Sequence, residues 1–360
     1  MNMGNIYFER GLNLSLLLRK GNHDWLAGVG AIGEPVLLSR GRDCLYVALR
    51  AIGAEQGDAI SVPAFICAEV PRLIAEWGFS PIPYDIEPDL SLSPDLVKKS
   101  LTSRTRAILY VNYFGLQQPA ASLDKLKGLG LPLVEDNCQA PMAGSKRAVQ
   151  PDFAFTSMRK YLPVPDGAVL DVIDNRWRER VGGVTLRRRT NGQLVRWRIA
   201  ALLVRGQQEI RDRRVLRLLA QELFSKAEQA LRGYDVPVAM HGVSRRLAAT
   251  FDIAAIRTER RSVYEKLVTA MKTHPALRPL RLELAATDCP HCCPLLTDGN
   301  RLWRDALNQR GIEAAILWKV EQFSQDRSIS AELSRRILSL PLPRLEALRS
   351  CEELMSSLDV

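Results

Sequence analysis

The stretch LPLVEDNCQA (131–140), followed by FTSMRKYLPVPDGAVL (155–170), decides the fold. Leu131–Val134 reads as a short buried strand that ends in the acidic pair Glu135–Asp136. Carboxylates at the carboxyl end of a central strand lie on the edge where α/β sheets bind ligands. Burying them there costs several kcal/mol per ion unless a cation or hydrogen bonds compensate. Taken alone, the pair reads equally well as a helix cap or a surface ion pair. Farther on, Thr156, Ser157 and Lys160 follow a second apolar stretch and precede the turn Pro163–Gly167 and the strand Ala168–Val172. A lysine just past a strand can serve as a Schiff-base nucleophile, although an isolated one is more often a solvated loop residue.

Outward from this stretch the same grammar repeats. Ala59–Val62, Ser80–Tyr84 and Ala107–Val111 read as buried strands. Asp43–Ile52, Cys67–Trp77, Pro94–Ser100 and Ala121–Gly128 read as helices. Strands alternating with helices predict a mainly parallel, doubly wound sheet with right-handed crossovers. From Gln193 to Arg232 the pattern turns helical, with Leu216, Leu219, Leu223, Ala227 and Leu231 on one stripe. A second helix is expected over Val243–Lys272. After Pro275 a smaller α+β unit follows: a strand at Cys293–Leu296, a helix at Arg301–Arg310, a strand at Ala314–Leu317 and a closing helix after Leu345. The expected division is an amino-terminal segment 1–38, a large α/β domain 39–232 and a small carboxyl-terminal α+β domain 233–360.

The chain has 360 residues, 46% hydrophobic and 25% charged, as in an ordinary globular protein. Its net charge of +10 is concentrated: Arg176 to Arg217 holds 13 arginines against Glu179, Glu209 and Asp212, and the remainder is neutral. Clustered arginine suits nucleic acid, but no nucleic-acid motif accompanies this segment, and apolar residues interrupt it at near-helical spacing. A helix face or an interface is the plainer reading, and specific nucleic-acid binding is disfavoured. No apolar run of about 18 residues suggests a membrane span. The amino-terminal stretch lacks the layout of a signal peptide. Seven cysteines, an odd number, fit reduced thiols in a cytoplasm. Gly28, Gly30 and Gly33 have dinucleotide-loop spacing, but no strand precedes them and Glu34–Pro35 stops any helix, so they read as a flexible loop. Cys289, His291, Cys292 and Cys293 lack a second ligand pair and read as structural thiols, with no metal expected.

Six segments in order carry a family resemblance: SRGRDCLYVALRAIG (39–53), GDAISVPAFICAEV (57–70), GFSPIPYDIEPD (78–89), RTRAILYVNYFG (104–115), LPLVEDNCQA and SMRKYLPVPDGAVL. Later echoes are RGIEAAILWK (310–319) and ILSLPLP (337–343). The chain resembles the DegT/DnrJ/EryC1/StrS family of pyridoxal-phosphate-dependent sugar aminotransferases, of fold type I. That resemblance implies a mainly parallel seven-stranded sheet flanked by helices, a smaller carboxyl-terminal domain, and a homodimer. It makes Lys160 the lysine that holds the cofactor as a Schiff base and later moves a proton. Asp136 becomes the carboxylate facing the pyridine nitrogen, and Gln139 a contact to the ring or its 3′-oxygen. The phosphate is expected near Gly41, Arg42 and Asp43, where a helix amino terminus favours an anion, with Ser157 as its hydroxyl.

Departures accompany the matches. Cys67 stands where many relatives stack an aromatic ring on the cofactor. Phe155 replaces a common serine, and Pro165–Ala168 replaces a glycine-rich turn. His241–Arg245 stands near the place of a Gly-Tyr-Asn-x-Arg segment. The implied reaction moves an amino group from an amino acid, with glutamate the expected donor, to a keto acceptor such as a nucleotide-linked keto-sugar. Another pyridoxal-phosphate reaction in small-molecule biosynthesis, or a pseudoenzyme of this fold, stays open. Arg159, Arg187, Arg188 and Arg189 are candidates for contact with an anionic substrate.

Overall fold

The computed structural model describes residues 10–21, 23–31, 35–140, 149–187, 192–210, 214–230, 236–318 and 328–343. Its strands are β1 (Val36–Leu38), β2 (Ala59–Pro63), β3 (Ser80–Tyr84), β4 (Thr105–Val111), β5 (Leu133–Asp136), β6 (Phe153–Ser157), β7 (Ala168–Val172), β8 (Arg278–Pro279), β9 (Cys292–Leu296) and β10 (Ile337–Pro341). Two short helices, α1 (Leu14–Leu18) and α2 (Trp25–Gly28), precede the sheet. They are followed by α3 (Gly41–Ile52), α4 (Glu69–Glu76), α5 (Pro94–Ser100), α6 (Ala120–Lys127) and α7 (Arg178–Gly182). The long pair α8 (Gly192–Ile210) and α9 (Arg214–Ala230) comes next, then α10 (Gly242–Ala248), α11 (Ile253–Met271), α12 (Asn300–Gln309) and α13 (Ile329–Arg336).

Seven strands form one sheet in the order β1-β7-β6-β5-β4-β2-β3. The run from β6 to β3 is parallel throughout, and β7 is antiparallel to both β6 and β1. The expected mainly parallel sheet is therefore present. Its inner strands are near-continuous apolar runs because helices cover both faces. β3 carries Pro81 and Pro83 and occupies an edge, where a missing N–H does least harm. The opposite edge is the three-residue β1, which comes from the amino-terminal segment 1–38. α3 buries Cys44, Leu45, Val47, Ala48 and Leu49 and stops at Gly53, whose φ of 82° is the left-handed cap that glycine adopts at little cost.

The smaller unit is the three-stranded sheet β10-β9-β8, with α11 and α12 sharing its core of Val263, Leu267, Leu295, Trp303 and Leu307. Two expectations fail here. The single helix expected over Val243–Lys272 is two helices, because Asp252 turns the chain and caps α11 by accepting from the Ala255 N–H at 2.9 Å. The expected strand at Ala314–Leu317 is a lone bridge between Ala315 and Ser339. Past that bridge the chain leaves the sheet, and Trp318 packs into the large-domain core against Phe65 and Phe114. The closing helix expected after Leu345 lies outside the described residues. On α9 the expected stripe holds at Leu223 and Ala227, with Leu216 half-buried, but Ala220 takes the buried place expected of Leu219, which faces outward; Leu231 lies outside the described residues. Gly28 is no loop residue: it ends α2 and packs directly on Ile253.

Candidate active site

β5 separates the two acids of LPLVEDNCQA by simple alternation, since successive strand residues face opposite sides of the sheet. Glu135 goes into a buried polar network, accepting from Asn112 Nδ2 at 3.0 Å and from Asn137 Nδ2 at 2.6 Å. Asp136 turns to the other face. There the Cys138 N–H donates to its Oδ1 at 2.8 Å. Burial pushes the Asp136 carboxyl above its usual range, and the positive charge of Lys160 opposes that shift.

Lys160 sits in a short 3-10 turn, Met158–Lys160, just beyond β6. Because β5 and β6 are parallel neighbours, the ends that carry Asp136 and Lys160 lie side by side. The loop is pinned on both flanks. Ser157 pairs with Ala168 across β6 and β7, and the Met158 N–H donates to Gly167 O at 2.9 Å. The Tyr161 hydroxyl reaches the carbonyls of Gln139 at 2.5 Å and Cys289 at 2.9 Å, tying the loop to both units. Its ring carries the buried Arg260 guanidinium at 4.7 Å and lies 5.3 Å from the His291 ring.

The amino terminus of α3 closes the third side. A β-carbon on Gly41 would lie 2.6 Å from Cys138 Sγ, so only glycine lets this helix end approach β5 so closely. Arg42 follows, 3.8 Å from Glu69. Asp43 is buried, with its carboxylate held in the fork of Arg40 at 2.7 and 2.9 Å. Burial raises the Asp43 carboxyl, and Arg40 works against that rise. The Asp43 carboxylate thus braces the helix start, while Gly41 and Arg42 stand at the helix end itself.

The other candidate residues divide. Ser157 is buried at the end of β6, while Thr156 donates to Asn137 O at 3.3 Å. Gln139 is buried and its Oε1 accepts from the Phe114 N–H at 2.8 Å, so that oxygen serves the backbone. Cys67 lies half-buried between β2 and α4 and packs on the core. Arg159 pairs with Glu228 of α9 at 3.1 Å. Arg187 is exposed, and its backbone N–H and carbonyl bond the strand-like stretch at Pro237 and Ala239. Arg188 and Arg189 lie outside the described residues. Elsewhere in the basic segment, Arg176 pairs with Asp152 and Asp174, and Arg198 and Arg205 both lie over the Phe224 ring.

Several site residues had no signal of their own in the sequence. Tyr113, just past β4, is 2% exposed, and its hydroxyl has no hydrogen-bond partner among the described residues. Burial and the nearby charge of Asp136 lift it well above the usual phenol range. Its position directly after a central strand was the available clue. The two drifted segments also meet: Asp166 of the lysine loop accepts from Ser244 Oγ, and from the His241 N–H at 3.2 Å. Cys292 and Cys293 lie on β9 and are buried, as is Cys289 just before it. Among the described residues no group of three or more His, Cys, Asp or Glu side chains could hold a metal ion, and no helix is long and apolar enough to cross a membrane.

Residues 33–148 match the DegT/DnrJ/EryC1/StrS aminotransferase family. Over 114 residues the chain is 35% identical to the L-glutamine:2-deoxy-scyllo-inosose aminotransferase of Micromonospora echinospora, which covers 30% of this chain and 26% of that protein. Over 108 residues it is 36% identical to the dTDP-3-amino-3,4,6-trideoxy-alpha-D-glucose transaminase of Streptomyces venezuelae, covering 29% of this chain and 28% of that one. The aligned stretch therefore spans less than a third of either relative. The whole fold is also shared with a Streptococcus pneumoniae protein solved in its PMP form, at TM-score 0.71, 14% identity and 98% coverage of each chain. The similarity to the DegT/DnrJ/EryC1/StrS aminotransferase family is thus carried by residues 33–148, about a third of the chain, while the solved structure shares the fold.

Proposed function

We propose that this chain is a pyridoxal-phosphate-dependent aminotransferase that moves an amino group from an amino acid, glutamate being the expected donor, to the keto group of a nucleotide-linked sugar. The observation that carries this reading is the placement of Lys160 beside the buried Asp136 on the carboxyl edge of parallel strands. The residues present fit the cofactor. Asp136 is a buried carboxylate suited to a protonated ring nitrogen, and the α3 amino terminus with Arg42 and Ser157 suits a phosphate. Bound there, the cofactor would supply an aldehyde for amines and a ring able to accept a carbanion's electrons.

The chain's own residues do the rest. Lys160 Nζ takes the proton from the substrate carbon and returns it, within a loop fixed by the Met158–Gly167 hydrogen bond. Asp136 keeps its charge toward the ring because the Cys138 N–H orients it. Homodimer formation and a cytoplasmic setting belong to the same proposal and rest on the family resemblance and on cysteine usage. A different reaction on the same cofactor is the second reading. It is favoured by the drifted Pro165–Ala168 and His241–Arg245 segments, which touch through Asp166 and Ser244.

The test is spectroscopic. Protein saturated with pyridoxal phosphate should show a visible band that borohydride bleaches and that Lys160→Ala lacks. Protein that binds no cofactor overturns the proposal. A band without amino transfer from glutamate to any nucleotide-linked keto-sugar favours the second reading.

A further inference from the structure

Tyr113 begins the short turn Tyr113–Gly115 just past β4, and its place is fixed from three sides. The Asn112 N–H before it donates to Asp136 O at 3.1 Å. The Phe114 N–H after it donates to Gln139 Oε1 at 2.8 Å. The rings of Phe65 and Trp318 pack on the phenol, with centroids 5.6 and 5.5 Å away. Phe114 holds a φ of 56°, a left-handed value that costs a non-glycine residue energy and that recurs at functional sites.

The hydroxyl at the end of this fixed ring is buried and has no hydrogen-bond partner among the described residues. The large majority of buried side-chain polar groups are bonded, so an exception at a ligand edge points to the ligand. The titratable groups that act on it are Tyr84, Asp136 and Asp85. Tyr84 already donates to Leu109 O at 2.8 Å, and Asp85 accepts from the N–H groups of Ile329 and Ser330 at 2.8 and 2.9 Å. Burial, helped by these neighbours, keeps the Tyr113 phenol protonated, which makes it a donor.

Strand order gives the direction. Lys160 lies just past β6, and Asp136 ends β5. The α3 amino terminus stands at the same strand ends, since a β-carbon on Gly41 would lie 2.6 Å from Cys138 Sγ and 3.7 Å from the Phe155 ring. A pyridoxal ring with its aldehyde at Lys160, its nitrogen at Asp136 and its phosphate arm at α3 has one polar atom left, the 3′-oxygen. That oxygen lies on the ring edge away from the phosphate arm. The next strand on that side is β4, which carries Tyr113 at its end.

We infer that the Tyr113 hydroxyl donates a hydrogen bond to the 3′-oxygen of pyridoxal phosphate bound at this site. The inference rests on the proposed function. It adds a phenol from β4 to cofactor contacts otherwise drawn from α3, β5 and β6. Gln139, with its Oε1 engaged by the Phe114 N–H, then serves the cofactor by holding this turn.

The experiment compares Tyr113→Phe with Tyr84→Phe in the full chain, titrating each with pyridoxal phosphate and following the visible band against pH. Tyr113→Phe should bind pyridoxal phosphate about tenfold more weakly. The midpoint of its band should rise by about one pH unit, because an oxygen that has lost a donor is more basic and holds the proton it shares with Lys160 Nζ to higher pH. Tyr84→Phe, which removes a hydroxyl already engaged by Leu109, should move neither. Unchanged affinity and midpoint in Tyr113→Phe would overturn the inference, and so would equal shifts in the two variants, the mark of a packing effect. Weaker binding with an unmoved midpoint would overturn the 3′-oxygen as the acceptor. A lower melting temperature for cofactor-free Tyr113→Phe would show a partner inside the protein and overturn it as well. Absence of the band in the parent condemns the proposed function, whereas a normal band indifferent to Tyr113→Phe condemns this contact alone.

Discussion

Gly115 and Cys289 meet backbone to backbone. The Cys289 N–H donates to the Gly115 carbonyl at 2.9 Å, and a β-carbon on Gly115 would lie 2.0 Å from the Cys289 carbonyl oxygen. The neighbouring Phe114 carbonyl accepts from the His291 N–H at 2.7 Å. Both large-domain residues are left-handed, with φ of 56° at Phe114 and 90° at Gly115. This seam joins the small unit to the sheet beside the lysine loop. Gly115→Ala combines a collision with backbone and an unfavourable φ, and it should cost more than about 2 kcal/mol in urea unfolding.

The buried Tyr113 hydroxyl, with no partner among the described residues, leads to a different expectation. An unsatisfied buried polar group costs roughly 1–3 kcal/mol, so Tyr113→Phe should raise the melting temperature of the cofactor-free protein. If the hydroxyl meets a ligand when the site is filled, the same variant should weaken that ligand. Melting curves with and without pyridoxal phosphate separate the two effects.

Asp136 links stability to pH. Burial holds its folded carboxyl above the usual range, so the ionised form is disfavoured in the fold and stability is lost as pH rises through the folded value. Asp136→Asn removes that loss. Without cofactor the variant should melt at or above the parent at neutral pH, and the gap should close in acid. On the proposed function, the rate of amino transfer should nevertheless fall by roughly 10- to 1,000-fold, one factor of ten for each pKa unit lost at the cofactor's ring nitrogen. A variant that is destabilised at neutral pH and fully active would contradict both halves.

Arg40 and Asp43 are both buried and bonded twice. Asp43→Ala takes the carboxylate away from a buried guanidinium and should cost up to about 3–5 kcal/mol. Replacing the pair together, Arg40→Met with Asp43→Leu, should cost much less. A double-mutant cycle by chemical denaturation measures the difference, and additive losses would show that the two side chains act independently.

Much of this molecule is legible locally. The Pro94–Ser100 helix and Ala168–Val172 strand fall where their patterns end, whereas Ser80–Tyr84, expected as a buried strand, lies at the sheet edge with only Tyr84 buried, as its two prolines could have signalled. Lys160 and Asp136 stand out because each follows an apolar strand. Which acid of Glu135–Asp136 faces the site is a matter of pleat and register, fixed only once β5 lies between β4 and β6. Contacts that span the chain leave no local trace. Nothing near Tyr161 foretells its bond to Cys289, and nothing in the arginine-rich segment singles out Arg198 as the one that meets Glu228. The edge strand β1 is too short to show a period at all.

The reversal of direction at β7 has a kinetic meaning. Every parallel neighbour in the large sheet is reached through a long crossover, whereas Ser157 meets Ala168 across nothing but the loop that bears Lys160. Closing so short a loop costs little chain entropy, so this hairpin can form while the crossovers are still being searched. Pulse-labelled hydrogen exchange should find the β6 and β7 amides protected ahead of those in β8–β10. The Lys160 amine is then presented by an early, self-contained ribbon. The slow step of assembly is left to the small unit that must arrive later and close on Tyr161.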